Sequence, residues 1–183
     1  MDVSKAQVPT RGEGSAGASR PARAVTSDSG PISAHQVTLR RAQPEDRELI
    51  WEWTFSSDLR ELMVPRVVLY KDYERWFFLR IVDRQTPLWM IEDAGARCGV
   101  VLIDRHDKQS LPRLSLAICA RLRGRGLGRR ALAVLCEQWQ HPLIAEVFTD
   151  NLAAVRSLEA AGFGRASERR LGGRVACTYL WSP

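Results

Sequence analysis

The sequence predicts an α/β fold in which one mixed, mostly antiparallel sheet is flanked by helices. Short apolar or alternating segments with strand character recur between residues 37 and 182, and amphipathic segments of helical period lie between some of them. Three strand segments follow one another directly in the middle of the chain, which indicates an antiparallel meander. Later strands are separated by single helices. The predicted order, β-α-α-β-β-β-α-β-α-β-β, is typical of a single layered domain.

Composition sets the broad class of protein. The chain has 183 residues, 45% of them hydrophobic, and a formal net charge of +6. No apolar run approaches the ~20 residues of a membrane span, and the first residues lack the apolar stretch of a signal peptide, so we expect a cytoplasmic protein. Acidic residues are interleaved with the arginines, which argues against a nucleic-acid partner, and the lack of a long apolar run leads us to expect no membrane partner. The four cysteines have no zinc-type spacing, so we expect no metal.

The N-terminal residues 1–36 differ in composition from the rest. They are rich in Gly, Ser, Ala, Pro and Thr and poor in large apolar side chains, so we expect a disordered segment ahead of a domain that spans 37–183. Acidic residues follow Pro44, where the dipole of a starting helix favours them. The elements predicted first are a strand at 37–41, a helix at 44–55, a short helix at 58–63 and an amphipathic helix at 70–83.

Turn and cap residues divide the second half of the domain. An Ala-Gly-Ala-Arg connection predicts one hairpin, and Gly172-Gly173 predicts another at the end of the chain. Gly162 is a typical C-terminal cap of a helix. The elements predicted here are strands at 87–93, 98–107 and 113–120, a helix at 126–140, a strand at 143–150, a helix at 151–163 and strands at 164–171 and 174–182.

Residues 121–132, RLRGRGLGRRAL, combine three glycines with five arginines between a predicted strand and a predicted helix. Glycine lets the backbone approach a ligand closely and adopt positive φ. The first turn of a helix offers N–H groups without intrahelical partners and a partial positive charge. These features together predict a pyrophosphate site, in which Arg123, Arg125 and Arg129 supplement the backbone donors.

The glycine spacing distinguishes three phosphate-binding loops. A Rossmann fingerprint needs GxGxxG in a βαβ unit, whereas the spacing here is GxGxG after three antiparallel-looking strands. A P-loop needs Gly-Lys-Ser/Thr, which the stretch lacks. The pattern RxxGxG, from Arg123 to Gly128, resembles the acetyl-coenzyme A loop of the GNAT superfamily of N-acetyltransferases.

A second segment resembles the same family independently. Residues 151–163, NLAAVRSLEAAGF, are similar to the family pattern N-x-x-A-x-x-x-aromatic-E-x-x-G-F, and they follow a predicted strand as the family requires. The resemblance extends from Val37 to Trp181. It implies the acyl-CoA N-acyltransferase fold, whose two central strands, here 113–120 and 143–149, splay apart to admit a pantetheine arm.

The resemblance implies acetyl-CoA as co-substrate and assigns residues to it. Backbone groups on a strand edge would pair with the pantetheine arm, and loop amides would hold the pyrophosphate. Asn151 would contact the arm or cap the following helix, since Asn is also a good N-cap. The residues implied are Ile118, Cys119, Ala120, Arg123, Arg125, Gly126, Leu127, Gly128, Arg129, Arg130, Asn151 and Leu158.

The resemblance also implies direct attack of an amine on the thioester in a ternary complex. A tyrosine, the acid for the leaving thiolate, often stands where this chain has Leu158. Ser157 or Tyr179 would act instead, or the thiolate would leave unassisted, because its pKa lies near the ~8.5 of a cysteine. A backbone N–H near Ile118 would stabilise the oxyanion. The candidate general bases are Glu52, which we prefer, Asp104 and His106.

The region before the glycine stretch resembles N-acetyltransferases that modify nucleotide-linked amino-deoxysugars in surface-glycan pathways of the pseudaminic-acid type. Their first helix carries a similar W-x-x…R…M arrangement, and their second a similar Y/H-x-x-W-F. Arginines would meet the pyrophosphate of such an acceptor and aromatics would stack on its base, although aromatics at helical spacing also fit a core. The candidate acceptor residues are Trp51, Trp53, Arg60, Met63 and Trp76, with Arg66 and Arg75 as further cations.

Two other functions stay open at this point. A ribosomal-protein-type N-terminal protein acetyltransferase shares the implied fold and has similar helices. A GNAT-fold sensor that binds acetyl-CoA without turnover would explain the missing tyrosine. The sequence also leaves the oligomeric state open, a homodimer included.

Overall fold

The computed structural model describes residues 37–55, 70–105, 107 and 109–183. Its strands are β1 (Val37–Arg41), β2 (Leu88–Asp93), β3 (Ala96–Asp104), β4 (Arg113–Ile118), β5 (Leu143–Phe148), β6 (Gly164–Leu171) and β7 (Arg174–Trp181). Its helices are α1 (Arg47–Phe55), α2 (Tyr70–Val82), α3 (Leu127–Gln138) and α4 (Leu152–Ala160). The strands form one seven-stranded sheet in the order β1-β2-β3-β4-β5-β7-β6. Neighbouring strands are antiparallel except β4 and β5, which are parallel.

This architecture confirms the predicted mixed, mostly antiparallel sheet with flanking helices. The element order is as predicted for the described residues, with differences at the ends of elements. The main correction concerns β4, which ends at Ile118 because Ala120–Leu122 form a 3-10 turn. The predicted disordered segment 1–36 and the predicted helix at 58–63 lie outside the described residues. No helix in the described part of the chain is long and apolar enough to cross a bilayer.

Two hydrophobic clusters pack on opposite faces of the sheet. The first, termed the α3/α4 core, contains buried side chains of α3 and α4 and of every strand except β6. The second, termed the α1/α2 core, contains buried side chains of α1 and α2 and of β2, β3 and β4. Successive side chains of a strand point to opposite faces. Val101 of β3 therefore belongs to the first core and its neighbour Val100 to the second.

The parallel pair β4 and β5 is short. It consists of Arg113 with Ile144 and Leu114 with Ala145. Each strand keeps its other neighbour along its whole length, since β4 pairs with β3 as far as Ile118 and β5 pairs with β7 to its end. The two strands therefore diverge after Leu114 and Ala145. This gap, termed the wedge, confirms the predicted splay.

A buried carboxylate fixes the turn between β1 and α1. Asp46 is only 1% exposed. It accepts hydrogen bonds from Arg40 Nη1 at 2.6 Å and Nη2 at 3.0 Å, and from the backbone N–H of Gln43 at 2.8 Å. Burial opposes ionisation, but the hydrogen bonds from Arg40 and Gln43 outweigh it and hold the pKa of Asp46 below its ordinary value.

Asp46→Asn is expected to lower the free energy of unfolding at pH 7 by about 3 kcal/mol, because Arg40 loses a buried charged partner. The native pKa of Asp46 is depressed. Its contribution is therefore complete above the carboxyl pKa of the unfolded chain, about 4, and is lost as the pH falls through the native pKa. Urea unfolding at pH 7, 5 and 3 measures both effects. Glu45→Gln, an exposed acid in the same turn, is the control. Equal loss of stability on acidification in wild type and Asp46→Asn would contradict this role.

Candidate active site

The register of β4 determines which backbone groups line the wedge. The N–H of Cys119 donates to the carbonyl oxygen of Cys98 at 2.9 Å, so the backbone groups of Cys119 face β3. Alternate residues of an antiparallel strand bond to opposite sides, so the groups of Leu116 and Ile118 face the wedge. The prediction that Ala120 belongs to this edge is wrong, because the strand has ended. Leu116 lies on the same edge but was not predicted, because the sequence does not show that β4 separates from β5 as early as Leu114.

The carbonyl of Ile118 already has one side-chain partner. Arg123 Nε donates to it at 3.1 Å. This contact holds the first arginine of the RxxGxG pattern between the end of β4 and the start of α3. The structure therefore places Ile118 and Arg123, two of the predicted coenzyme residues, in direct contact.

The glycine loop creates an open helix N-terminus. Gly124 and Gly126 have φ of 76° and 73°, a left-handed conformation that glycine adopts without strain. A Cβ atom at either position would find no atom within 4 Å, so the space above the loop is open. The first helical hydrogen bond runs from Arg130 N to Gly126 O at 3.1 Å. The amides of Leu127, Gly128 and Arg129 precede that bond and stay available to an anion.

The arginines of the loop differ in their surroundings. Arg125 and Arg129 have exposed side chains beside the loop. Arg130 instead binds Asp93, at the end of β2, with Nη1–Oδ1 and Nη2–Oδ2 distances of 3.1 and 3.4 Å. Its amide also makes the first helical bond. Arg130 therefore ties α3 to the sheet through both its backbone and its side chain.

Helix α4 brings a hydroxyl to the mouth of the wedge. A methyl group placed on Gly128 would lie 3.9 Å from Ser157 Oγ, 3.9 Å from Cγ1 of Ile118 and 3.7 Å from Cδ2 of Leu116. The side chains of Ser157, Leu116 and Ile118 therefore surround one point beside the first turn of α3. Ser157 Oγ donates to Ala153 O at 2.7 Å, which fixes its rotamer.

Two other predicted coenzyme residues, Asn151 and Leu158, make contacts that stabilise the fold. Asn151 Oδ1 accepts from Ala154 N at 3.2 Å, so Asn151 is the N-cap of α4, one of its two predicted roles. Leu158 is 6% exposed and belongs to the α3/α4 core. Its side chain is therefore enclosed by apolar neighbours at the position where the family pattern has an aromatic residue.

The other candidate acids and bases are dispersed. Tyr179 is buried, and its hydroxyl donates to Glu159 Oε1 at 3.2 Å; burial and this hydrogen bond raise its pKa. Asp104, at the end of β3, accepts a hydrogen bond from Nη2 of Arg80 on α2 at 2.5 Å. Glu52 is exposed on α1. His106 lies outside the described residues.

The candidate acceptor residues that the structure describes belong to α1 and α2. Trp53 is 8% exposed within the α1/α2 core, which favours the core interpretation for this aromatic residue. Trp51 and Trp76 are half-buried and both contact Tyr73, with ring centroids 4.8 and 5.7 Å from its ring. Arg75 is exposed. Arg60, Met63 and Arg66 lie outside the described residues.

The fold has counterparts in known proteins. A model of the acetyltransferase (GNAT) domain family matches residues 36–164. The structure is similar to spermidine N-acetyltransferase from Vibrio cholerae in complex with CoA and spermine, with 17% identity, a TM-score of 0.69, and coverage of 80% of this chain and 95% of that one. It is also similar to the aminoglycoside acetyltransferase AAC(6')-Ib in complex with paromomycin and acetyl-CoA, with 19% identity, a TM-score of 0.63, and coverage of 80% and 93%.

A third solved structure, a GNAT-family acetyltransferase from Streptococcus pneumoniae, is 20% identical, with a TM-score of 0.66 and coverage of 79% of this chain and 98% of that one. No curated protein sequence matches the chain. At these identities the structural likeness concerns the fold. The family model, however, covers most of the chain and includes the wedge, the glycine loop and α4. The chain therefore belongs to the GNAT acetyltransferase domain family.

Proposed function

We propose that this chain transfers the acetyl group of acetyl-CoA to a primary amine, the amino group of a nucleotide-linked amino-deoxysugar. The observation that carries the proposal is the wedge between β4 and β5, which ends at an open helix N-terminus built from glycines. Family membership supports acetyl transfer. Two of the similar structures contain CoA or acetyl-CoA, which supports the choice of coenzyme.

The residues of the wedge and loop fit acetyl-CoA. The amides of Leu127, Gly128 and Arg129 suit a pyrophosphate, and the open space above Gly124 and Gly126 leaves room for it. The strand-edge groups of Leu116 and Ile118 suit the two amides of a pantetheine arm. Arg125 and Arg129 add positive charge at the rim. When bound, acetyl-CoA supplies an acetyl group activated as a thioester.

Ser157 is our candidate proton donor to the sulfur atom. It is the only predicted acid whose hydroxyl lies, among the described residues, beside both α3 and the wedge edge of β4. Tyr179 is the weaker candidate because its hydroxyl is buried and bonded to Glu159. The Ser157 hydroxyl reaches solvent, so it would take up a proton from water as it gives its own proton to the sulfur, and such a relay is expected to contribute modestly.

The acceptor is expected to approach from the α1/α2 side of the sheet. The glycine loop leads into α3, on the other side, so the coenzyme phosphates occupy that side. Glu52 lies on α1 and remains our candidate base for the ammonium proton. Trp51 and Trp76 are half-buried and retain exposed ring area for an acceptor. The resemblance of the first two helices to nucleotide-sugar N-acetyltransferases supports this acceptor class.

A thiol-release assay with a panel of acceptors tests the proposal. We expect turnover with a UDP-linked 4-amino-4,6-dideoxyhexose and only background release with peptides. Turnover confined to peptides would contradict the amino-sugar acceptor and indicate a protein N-terminus as the acceptor. Tight binding of acetyl-CoA without release in the presence of any acceptor would make the chain a sensor.

Gly126→Glu is expected to raise the dissociation constant of acetyl-CoA by at least about 100-fold, because a carboxylate would enter the anion site and the left-handed φ would be strained. Calorimetry measures the constant. Gly173→Glu is the matched control, because Gly173 also has a left-handed φ, 82°, and open space around it, in the turn between β6 and β7. Equal loss of binding in both variants would point to strain or net charge, and unchanged binding in Gly126→Glu would contradict the phosphate site.

Ser157→Ala is expected to lower kcat about tenfold while the affinity for acetyl-CoA stays within about twofold, because the variant loses a proton donor rather than a binding group. Stopped-flow or steady-state thiol release measures the rate. Tyr179→Phe is the comparison and is expected to lower stability by about 1 kcal/mol with little effect on kcat. The reverse pattern would transfer the role to Tyr179, and wild-type rates in both variants would favour unassisted departure of the thiolate.

A further inference from the structure

Three charged side chains form a cluster that the sequence analysis did not find. Arg113 Nη1 donates to Glu146 Oε2 at 2.9 Å, and Arg169 Nε donates to Glu146 Oε1 at 2.6 Å. The side chain of Glu146 is 8% exposed, whereas those of Arg113 and Arg169 are 34% and 50% exposed. The carboxylate is therefore enclosed by two guanidinium groups that themselves reach solvent.

The cluster lies at the closed end of the wedge, on the α1/α2 side. Glu146 follows Ala145, the last residue of β5 that pairs with β4. Ala145 and Leu114 point into the α3/α4 core. Side chains alternate along a strand, so Glu146 and Arg113 point to the opposite face. This is the face from which the proposed acceptor approaches.

The charge balance around the cluster is positive. Arg174 binds Asp150 with an Nε–Oδ2 distance of 2.8 Å and stacks on Phe148, 3.8 Å from the ring centroid. Phe148 and Arg169 both pair with Ala176, so their side chains lie on the same face of the sheet as that of Ala176. Arg174 lies two residues before Ala176 in β7, so its side chain lies on this face as well. Among these five side chains, three guanidinium groups against two carboxylates leave one positive charge, and Asp104, which is opposite Arg113 in the β3–β4 pair, is balanced by Arg80.

Guanidinium geometry suits a second anion. Each guanidinium carries five N–H donors in a planar fork, more than a single carboxylate oxygen can accept. The bonds to Glu146 hold Arg113 and Arg169 in fixed positions, since charge-assisted hydrogen bonds to an enclosed carboxylate are strong. An anion that meets both arginines therefore needs little reorganisation of the protein.

We propose that Arg113 and Arg169 form an anion subsite for the acceptor, with Glu146 as the positioning residue that holds both guanidinium groups. The ligand is a phosphate of the nucleotide-linked amino sugar, so the choice of ligand rests on the proposed function. The amine enters the wedge while the phosphate binds the two arginines. The same three side chains also connect β4, β5 and β6, so the test separates substrate binding from stability.

The test compares a charged and an uncharged acceptor that carry the same amine. The acceptors are a UDP-linked 4-amino-4,6-dideoxyhexose and the methyl glycoside of the same amino sugar. Arg169→Gln is expected to raise KM for the UDP-linked acceptor by about tenfold or more, the value of a charge-assisted hydrogen bond, with kcat within about threefold. KM for the methyl glycoside and for acetyl-CoA is expected to stay within about twofold. Arg113→Gln is expected to behave in the same way.

The matched control is Arg170→Gln. Arg170 is the next residue of β6, is exposed and pairs with Val175, so its side chain points to the opposite face from Arg169. This variant is expected to keep wild-type KM values for both acceptors. Equal changes for the two acceptors in Arg169→Gln would mean a structural role and would overturn the subsite, and so would an unchanged KM for the UDP-linked acceptor.

Calorimetry of UDP with the CoA-saturated enzyme makes the subsite testable without turnover. We expect UDP to bind the wild type and Arg170→Gln, and to bind Arg169→Gln about tenfold more weakly. Turnover confined to peptides would overturn the proposed acceptor. The subsite would then stand if Arg169→Gln still weakens UDP binding, and it would fall if the wild type does not bind UDP.

Discussion

The early divergence of β4 from β5 is the constraint on which the rest of the site depends. Only the pairs Arg113–Ile144 and Leu114–Ala145 join the strands, so the backbone groups of Ile118 face the wedge beyond the last pair. Backbone N–H and C=O groups that leave water need partners, because an unpaired group costs about as much as a lost hydrogen bond. Arg123 provides one such partner. A ligand with amides of its own provides partners of the kind that a neighbouring strand would otherwise supply.

The rest of the fold keeps this gap open at a fixed place. The outer neighbours β3 and β7 hold β4 and β5 along their lengths, so closing the wedge would require both to shift. Helix α3 is anchored by the buried Leu127 and by the ion pair of Arg130 with Asp93. The left-handed Gly126 is the N-cap at which the chain, after the 3-10 turn, enters this helix. The glycines therefore allow the backbone conformation that places the amides of Leu127, Gly128 and Arg129 beside the wedge.

Local signals predicted most of the fold, and long-range pairing accounts for what they missed. The hairpin across Gly172-Gly173 and the cap at Asn151 follow from neighbouring residues alone, and both are present. The place where β4 ends and the place where it parts from β5 are set by long-range pairing, so the sequence extended the wedge edge to Ala120 and did not show that it includes Leu116. The cluster around Glu146 joins residues that lie 33 and 23 positions apart, and no periodicity relates them. Only the sheet order brings these residues together.

A shared fold does not carry a substrate from one protein to another, but surface charge restricts the choice. The Vibrio cholerae enzyme, 17% identical to this chain, was solved with spermine, a polycation. Among the described residues, the cluster of Arg113, Glu146 and Arg169 beside the wedge combines two guanidinium groups with one carboxylate, a surplus of one positive charge. Charges a few ångströms apart near a protein surface interact by about 1 to 4 kcal/mol, so a positive cluster would favour a phosphate over a polyamine. In the proposed function, the side chains of β4, β5 and β6 would select the acceptor, whereas the wedge and the glycine loop would hold the coenzyme.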